Sequence, residues 1–400
     1  MAPAVRRSPF ITRQATPIMR KNLLSHVKRV VVKVGSGVLS NGDGLDRRAI
    51  DQLSRDIVEL RKRGYEVALV SSGAVAAGKG DLGIVGRPRT IPLKQAAAAI
   101  GQSRLISFYE EAFHRHDLKV AQVLLTRDDL ANRRRYLNAR NTLMTLLDYD
   151  VLPIINENDT VVVDEIRFGD NDNLSAMVTN LIEANLLVIL SDVDGLYDRD
   201  PRDNPEARLL HEVPRITEEI EAMAGGSGSD VGTGGMATKV RAAKRAALYG
   251  VGTVILNGRE AGMLGRLFDG EPIGTYFLPA SNRMAAKKHW IAFTKKPRGK
   301  LLLDSGAVTA IVERGKSLLP SGIRGVEGGF DRGDAVRLCG PDGEEFAKGV
   351  INYSLAELLR IMGKKTSEIE TILGYKYGDE VVHRDNLVLK DQPPTPAEES

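Results

Sequence analysis

The sequence predicts an α/β protein: an open, mostly parallel sheet with helices on both faces, followed by a small β-rich domain. Short apolar, β-branched runs alternate with helical patterns over the first two-thirds of the chain, as expected for parallel strands joined by helices. The residues best suited to chemistry stand just after those runs, where open α/β sheets bind ligands. Around residues 277–298 the pattern changes, and glycine-broken short segments follow.

The first strand is read over 29–34, Arg-Val-Val-Val-Lys-Val, with a helix over 47–63 behind it. A strand over 66–70 leads into Ser71-Ser72-Gly73 and an alanine-rich helix. Helix 94–114 precedes strand 120–125, helix 139–146 precedes strand 151–155, and helix 173–184 precedes strand 186–190. Helix 238–249 and strand 253–256 complete the alternation. Strands at 300–303, 335–338 and 345–350, with a helix over 355–362, suggest a module of about 80 residues.

A chain of 400 residues exceeds one ordinary core, so two domains are expected. The boundaries are a flexible basic arm over 1–24, an α/β domain over 25–283, a linker over 284–297, a β-rich domain over 298–389 and a flexible tail over 390–400. Met1 and Met19 are both candidate starts. The first twenty residues lack the apolar core of a secretory signal. A net charge of +4 does not by itself imply nucleic acid or membrane. The single cysteine, Cys339, excludes an internal disulfide framework and a cysteine-built zinc site, and suits the cytoplasm. No apolar stretch approaches the ~20 residues of a membrane span.

Four segments can carry chemistry. Lys33 lies in a strand that should hold no charge, directly before Gly35-Ser36-Gly37. Burying its ammonium requires an anion, and the glycines let a backbone approach one closely. Phosphates fit this, although a lysine at a strand end can also reach water. At Val70-Ser71-Ser72-Gly73 a strand ends and a helix begins, which makes either an anion cradle or an ordinary cap.

The third segment is Ile155-Asn156-Glu157-Asn158-Asp159 with Gly169-Asp170-Asn171-Asp172-Asn173. Its density of amides and carboxylates suits an amine-bearing ligand, with Asp159 for an ammonium and Asn171 for amide or carboxylate edges. A solvated acidic turn is the plainer reading. A calcium loop counted from Asp170 fails, because Leu174, Ser175 and Leu181 stand where ligand, glycine and glutamate belong. The fourth comprises Leu190-Ser191-Asp192-Val193-Asp194-Gly195 and Gly232-Thr233-Gly234-Gly235-Met236-Ala237-Thr238-Lys239. The first part resembles the nucleophile motif of haloacid-dehalogenase-like phosphatases, a reading that leaves the other segments unexplained. The second opens a helix and is not a Walker A sequence, since Lys239 comes a turn into that helix.

With these segments in this order, the chain resembles the amino acid kinase family, in particular its members that carry a C-terminal PUA domain. The likeness runs from about residue 30 to 385. It is carried by VVVKVGSGVL, ALVSSGAVAAG, KQAAAAIGQSRL, QVLLTRDDL, YLNARNTL, PIINENDTV, GDNDNLSA, LSDVDGLY, DPR, GTGGMATK and ILGYKYGD. The resemblance implies transfer of the γ-phosphoryl group of ATP, with Mg2+ carried on the nucleotide, to the side-chain carboxylate of L-glutamate, the committed step toward proline.

The resemblance also implies roles for residues. Lys33 and Lys239 are similar to the two lysines that stabilise the phosphoryl group in flight, and Asp172 to the aspartate that holds them, although direct contact of Asp172 with Mg2+ is equally compatible. Ser72, Asp159 and Asn171 match positions that bind glutamate. Lys33, Ser191, Asp192 and the run Thr233, Gly234, Gly235, Met236, Ala237, Thr238 and Lys239 match the ATP site. A glutamate side chain, with a pKa of ~4.3, is already ionised and needs no general base, which agrees with the absence of histidine from the four segments. Feedback by proline through 126–140, a homo-oligomer (dimer or tetramer) and transient contact with glutamyl phosphate reductase are further expectations. RNA binding by the PUA domain is not favoured: acidic residues interrupt its basic ones, and no row of aromatics is evident.

Overall fold

A computed structural model describes residues 17–40, 44–86, 88–161, 171–225, 235–279 and 296–390. The chain divides into two compact units, residues 1–130 with 139–280 and residues 131–138 with 281–400. The strands of the first are β1 (Arg29–Val34), β2 (Glu66–Ser71), β3 (Val120–Leu125), β4 (Leu152–Glu157), β5 (Leu186–Ser191), β6 (Glu212–Val213), β7 (Gly252–Asn257) and β8 (Thr275–Phe277). They form one sheet in the order β3-β4-β2-β1-β5-β7-β8-β6. Every pairing is parallel except β7 with β8. The order reverses at β1, with β2 on one side and β5 on the other, and such a switch point opens a crevice beyond the strand ends.

The helices over this stretch are α1 (Pro17–Leu24), α2 (Ser36–Leu39), α3 (Arg47–Lys62), α4 (Ala74–Gly78), α5 (Ile91–His114), α6 (Arg127–Ala131), α7 (Arg133–Asp148), α8 (Asn171–Leu181), α9 (Glu218–Met223), α10 (Met236–Leu248) and α11 (Met263–Phe268). Side chains of a strand alternate between faces. Val30, Val32 and Val34 therefore enter one core with Leu53 and Ile57 of α3, Tyr109 and Phe113 of α5, and Leu264 and Phe268 of α11. Lys33, out of phase with these valines, is directed to the opposite face, where α8 and α10 pack. Both faces are covered, which is why β1 reads as a nearly unbroken apolar run.

Local signals fix the helices. Asp46 caps α3 by accepting from Arg48 N–H at 2.9 Å, and α3 buries Ile50, Leu53, Ile57 and Leu60 on one side. Thr90 caps α5, with Pro92 in its first turn. Helices α4 and α5 cross with their backbones in contact. A Cβ at Gly101 would lie 1.7 Å from Ala74 O, and one at Gly78 would lie 2.1 Å from Ala97 O. Because α4 starts directly after Ser72, this crossing sets where the end of β2 meets the crevice.

The expected flexible arm over 1–24 needs correction at its C-terminal end. Residues 17–24 form α1, and Arg20 is fully buried, donating to His211 O at 2.8 Å and Ile273 O at 3.3 Å across the ring of Tyr276. Leu24 joins the main core. Two carbonyl acceptors and an aromatic face explain how a basic residue read as solvated is buried instead. Residues 1–16 lie outside the described residues, as do the tail over 391–400 and most of the expected linker.

The second unit has its own sheet: β9 (Gly299–Leu303), β10 (Ile323–Gly328), β11 (Ala335–Cys339), β12 (Glu345–Val350) and β13 (Leu387–Leu389), in the order β10-β9-β11-β12-β13. Only β9 with β11 is parallel. Helices α12 (Ser305–Val312), α13 (Leu355–Ile361) and α14 (Ile369–Leu373) accompany it, and Leu301, Val336, Leu338, Tyr353 and Leu358 centre a separate core. Strand β10 and helix α12 have no counterpart in the sequence reading: β10 is glycine-interrupted, and α12 is a short, mostly apolar stretch without helical periodicity.

Gly101→Ala should lower stability by about 1–3 kcal/mol, because the added methyl meets backbone that cannot rotate away. Gly80→Ala, with nothing within 4 Å of its Cβ position, should leave the melting temperature unchanged. Thermal melts of the two variants beside the parent chain check this.

Candidate active site

Lys33 is 3% exposed and lies in register with Val70 of β2 and Ile189 of β5, so its ammonium emerges between apolar strands. An isolated charge there would be costly. Asp172, in the first turn of α8 and 1% exposed, places Oδ1 2.5 Å from Lys33 Nζ. Its other oxygen, Oδ2, lies 3.3 Å from Lys239 Nζ and accepts from Thr238 Oγ1 at 2.6 Å, both residues being in the first turn of α10. Three elements distant in sequence thus converge on one carboxylate. Burial would raise the Asp172 pKa, but Lys33 and then Lys239 overcome it and hold the carboxyl below the usual range. Burial lowers the Lys239 pKa against the pull of Asp172, with Lys33 adding to the lowering. Two cations share this buried carboxylate at the carboxyl end of β1, and the Asp192 charge also acts on Lys239.

The glycine turn after β1 borders this charge. Gly35 N–H donates to Leu190 O at 3.2 Å, tying the turn to β5. The Asp192 carboxylate lies against Gly37, where a Cβ would approach Oδ2 to 3.0 Å. Arg259 clamps the same turn, donating from Nη2 to Gly37 O at 2.9 Å. Ser191 is buried at the end of β5, and its hydroxyl donates to Asp192 Oδ1 at 3.3 Å. Asp194 has a structural setting: Tyr197 Oη donates to it at 2.8 Å and Asn257 Nδ2 at 3.0 Å. A Cβ on Gly195 would press to 2.5 Å from Thr275 Oγ1, so Asp-Val-Asp-Gly is built as a tight turn.

On the other side of Asp172, Asn171 is 5% exposed and its Nδ2 lies 2.9 Å from Ser72 Oγ, 2.9 Å from Asn156 Oδ1 and 3.2 Å from Ser71 O. Ser71 O can only accept, which orients the amide. Asn171 Oδ1 is buried with no hydrogen-bond partner among the described residues. An orphan acceptor of this kind suits a ligand N–H. Asn156 Oδ1 also accepts from Glu157 N–H at 2.9 Å, and Tyr109 Oη lies 2.8 Å from Ser71 Oγ. The half-buried Asp159 has its pKa pushed up to about 7, first by burial and then by the Glu157 charge.

The segments expected to carry chemistry therefore adjoin one another at the strand ends. Gly235 caps α10, which opens on Met236 and the half-buried Ala237, whereas Thr233 and Gly234 lie outside the described residues. Residues 28–257 match the model of the Amino acid kinase family, and residues 299–373 that of the PUA domain. The chain belongs to the amino acid kinase family. The glutamate 5-kinase of Syntrophotalea carbinolica is 68% identical to it over 372 residues, covering 93% of this chain and 100% of that protein. The glutamate 5-kinase of Geobacter sulfurreducens is 60% identical over the same length, with the same coverage of each.

Membership of the amino acid kinase family agrees with the structural setting of Asp194 and leaves the dehalogenase-like reading without support. Sequence reasoning passed over Asn156, Tyr109 and Arg259 as site-building residues. Asn156 sat within a segment already singled out, and its position directly after the strand read over 151–155 was the available signal. Nothing local marks Tyr109, which acts from the C-terminal part of α5. Among the described residues, no helix is long and apolar enough to cross a membrane.

Asp159 binds a proton more tightly in the folded than in the unfolded chain, so stability falls as pH rises from about 4 through about 7. In ligand-free protein, Asp159→Asn should raise stability at pH 8 by roughly 1–3 kcal/mol and match the parent at pH 4. Chemical denaturation at the two pH values measures this.

Proposed function

We propose that this protein transfers the γ-phosphoryl group of ATP to the side-chain carboxylate of L-glutamate, giving L-glutamyl 5-phosphate and opening proline biosynthesis. The observation that carries the reading is the buried Lys33–Asp172–Lys239 arrangement beside a glycine turn, in a chain 68% identical to a glutamate 5-kinase. The chemical difficulty is electrostatic. An anionic nucleophile must approach a polyphosphate, and no proton has to be removed first. Lys33 and Lys239 would meet the charge that develops on the transferring group, and Asp172 would hold both amines in place.

Both Asp172 oxygens are engaged by these cations, which favours this role over direct contact with Mg2+. The exposed Asp192 beside the glycine turn is suited to the hydration shell of a Mg2+ carried by the nucleotide, an ion that would offset phosphate charge when bound. Ser191 and the 233–239 run would complete the ATP site. Ser72, Asn171 and Asp159 would hold glutamate, with the Asn171 Oδ1 acceptor and Asp159 facing its ammonium. Proline would act at or near that site through 126–140. The domain limits at 25–283 and 298–389, a cytoplasmic location, a dimer or tetramer and transient hand-over of the labile product to glutamyl phosphate reductase belong to the same reading.

An ATP-dependent hydroxamate assay offering L-glutamate, L-aspartate and N-acetylglutamate in parallel, with an ADP readout for UMP, should show turnover with L-glutamate alone. Turnover of another acceptor in its place overturns the assignment. Lys33→Ala and Lys239→Ala should each lose ~10²–10³ in kcat, and Asp159→Ala should chiefly raise the glutamate KM. Since ionised Asp159 is the form that pairs with an ammonium, the glutamate KM should climb as pH falls below about 7. A flat KM across pH 6–8 would remove Asp159 from the binding site.

A further inference from the structure

We infer that Tyr109 is a positioning residue for the amino-acid side of the site: acting through Ser71, it fixes the donor at Ser72 and the acceptor at Asn171 against which glutamate would lie. The inference rests on the phosphotransfer reading above and gives a role to a buried phenol that the transfer itself does not use. Tyr109 and Ser71 are both fully buried, and Tyr109 Oη lies 2.8 Å from Ser71 Oγ, its one hydrogen-bond partner among the described residues. Ser71 Oγ in turn lies 3.0 Å from Ser72 O, which can only accept. Every proton finds an acceptor when Tyr109 donates to Ser71 and Ser71 donates to Ser72 O. The reverse order leaves the phenolic proton buried without one. Burial pushes the Tyr109 pKa up, so the phenol stays a donor.

Ser71 is engaged from α8 as well. Its carbonyl receives Asn171 Nδ2 at 3.2 Å, and the same nitrogen lies 2.9 Å from Ser72 Oγ. The amide is thereby oriented so that its buried, unpartnered Oδ1 is the atom left for a ligand N–H. Because Nδ2 is a donor, Ser72 Oγ accepts from it and keeps its own proton for a ligand carboxylate. One residue therefore governs both polar contacts, a hydroxyl proton for the carboxylate of an amino acid and an amide oxygen for its ammonium. Tyr109 sets where that residue sits. Its ring packs in the main core 6.1 Å from that of Phe113, centroid to centroid, which gives the hydroxyl a rigid mount. Lys33, Lys239 and the glycine turn share none of these bonds, so the effect belongs to the amino acid and not to the nucleotide.

The test compares Tyr109→Phe, Ser71→Ala and the double variant in the full chain, by initial rates and by thermal melts without substrates. Tyr109→Phe keeps the packed ring and should raise the glutamate KM about three- to tenfold, the size of one neutral hydrogen bond, with the ATP KM within about twofold. Ser71→Ala should raise the glutamate KM at least as much and should also melt lower, because it orphans the buried phenol. Removing both hydroxyls leaves no orphan, so the double variant should melt above Ser71→Ala while its glutamate KM stays raised. A KM that recovers together with the melting temperature would mean that the pair only supports the fold, and overturns the inference. So do ATP and glutamate KM values that rise in step, or a Tyr109→Phe protein with the parent's glutamate KM. A parent chain inert toward glutamate sinks the kinase reading and this inference with it, whereas an active parent beside any of those three patterns sinks the inference alone.

Discussion

One buried carboxylate decides where the chemistry of this protein can lie. Asp172 draws Lys33 from the central strand and Lys239 from α10 to within reach of each other, in a place where neither amine could stand alone. Were Asp172 absent, two like charges would face one another in a low-dielectric cleft. The arrangement specifies position more than it adds stability, since buried ion pairs of this kind roughly break even against apolar packing. What it secures is a pair of cations held in register with the sheet.

The sheet supplies the geometry for that pair. Order reverses at β1, so the turns after β1, β2, β4 and β5 border one crevice. Glycine turn and Lys33 come from the first, Ser72 from the second, the Asn156–Asp159 acceptors from the third and Ser191–Asp192 from the fourth. The two lysines and the Asp192 carboxylate lie by the glycine turn, and amide groups collect around Asn171.

Much of this was legible in the sequence for identifiable reasons. Parallel strands buried on both faces must be apolar, so a lysine in Val-Val-Val-Lys-Val stood out at once. Functional residues cluster behind strand ends because that is where the crevice opens. Arg20 was misread because composition marks the N-terminal stretch as basic and soluble, while its burial depends on carbonyls of His211 and Ile273 far along the chain. Tyr109 was invisible for the same reason: an aromatic on an amphipathic helix looks like core, and its hydroxyl partner at Ser71 appears only in three dimensions. The contact between α4 and α5 was hidden too, since isolated glycines in helices carry no label for what they approach.

The position of β1 at the centre of the sheet bears on how the enzyme comes into being. Lys33 emerges early in synthesis and Lys239 roughly two hundred residues later, and pairings this remote close slowly. Until α10 has docked, the first lysine and Asp172 can meet, but the second cation is missing. Ribosome-bound intermediates ending before α10 would therefore hold the five strands β3-β4-β2-β1-β5 without β7 and β8, so the Lys33–Asp172–Lys239 arrangement is a late event in the life of each nascent chain.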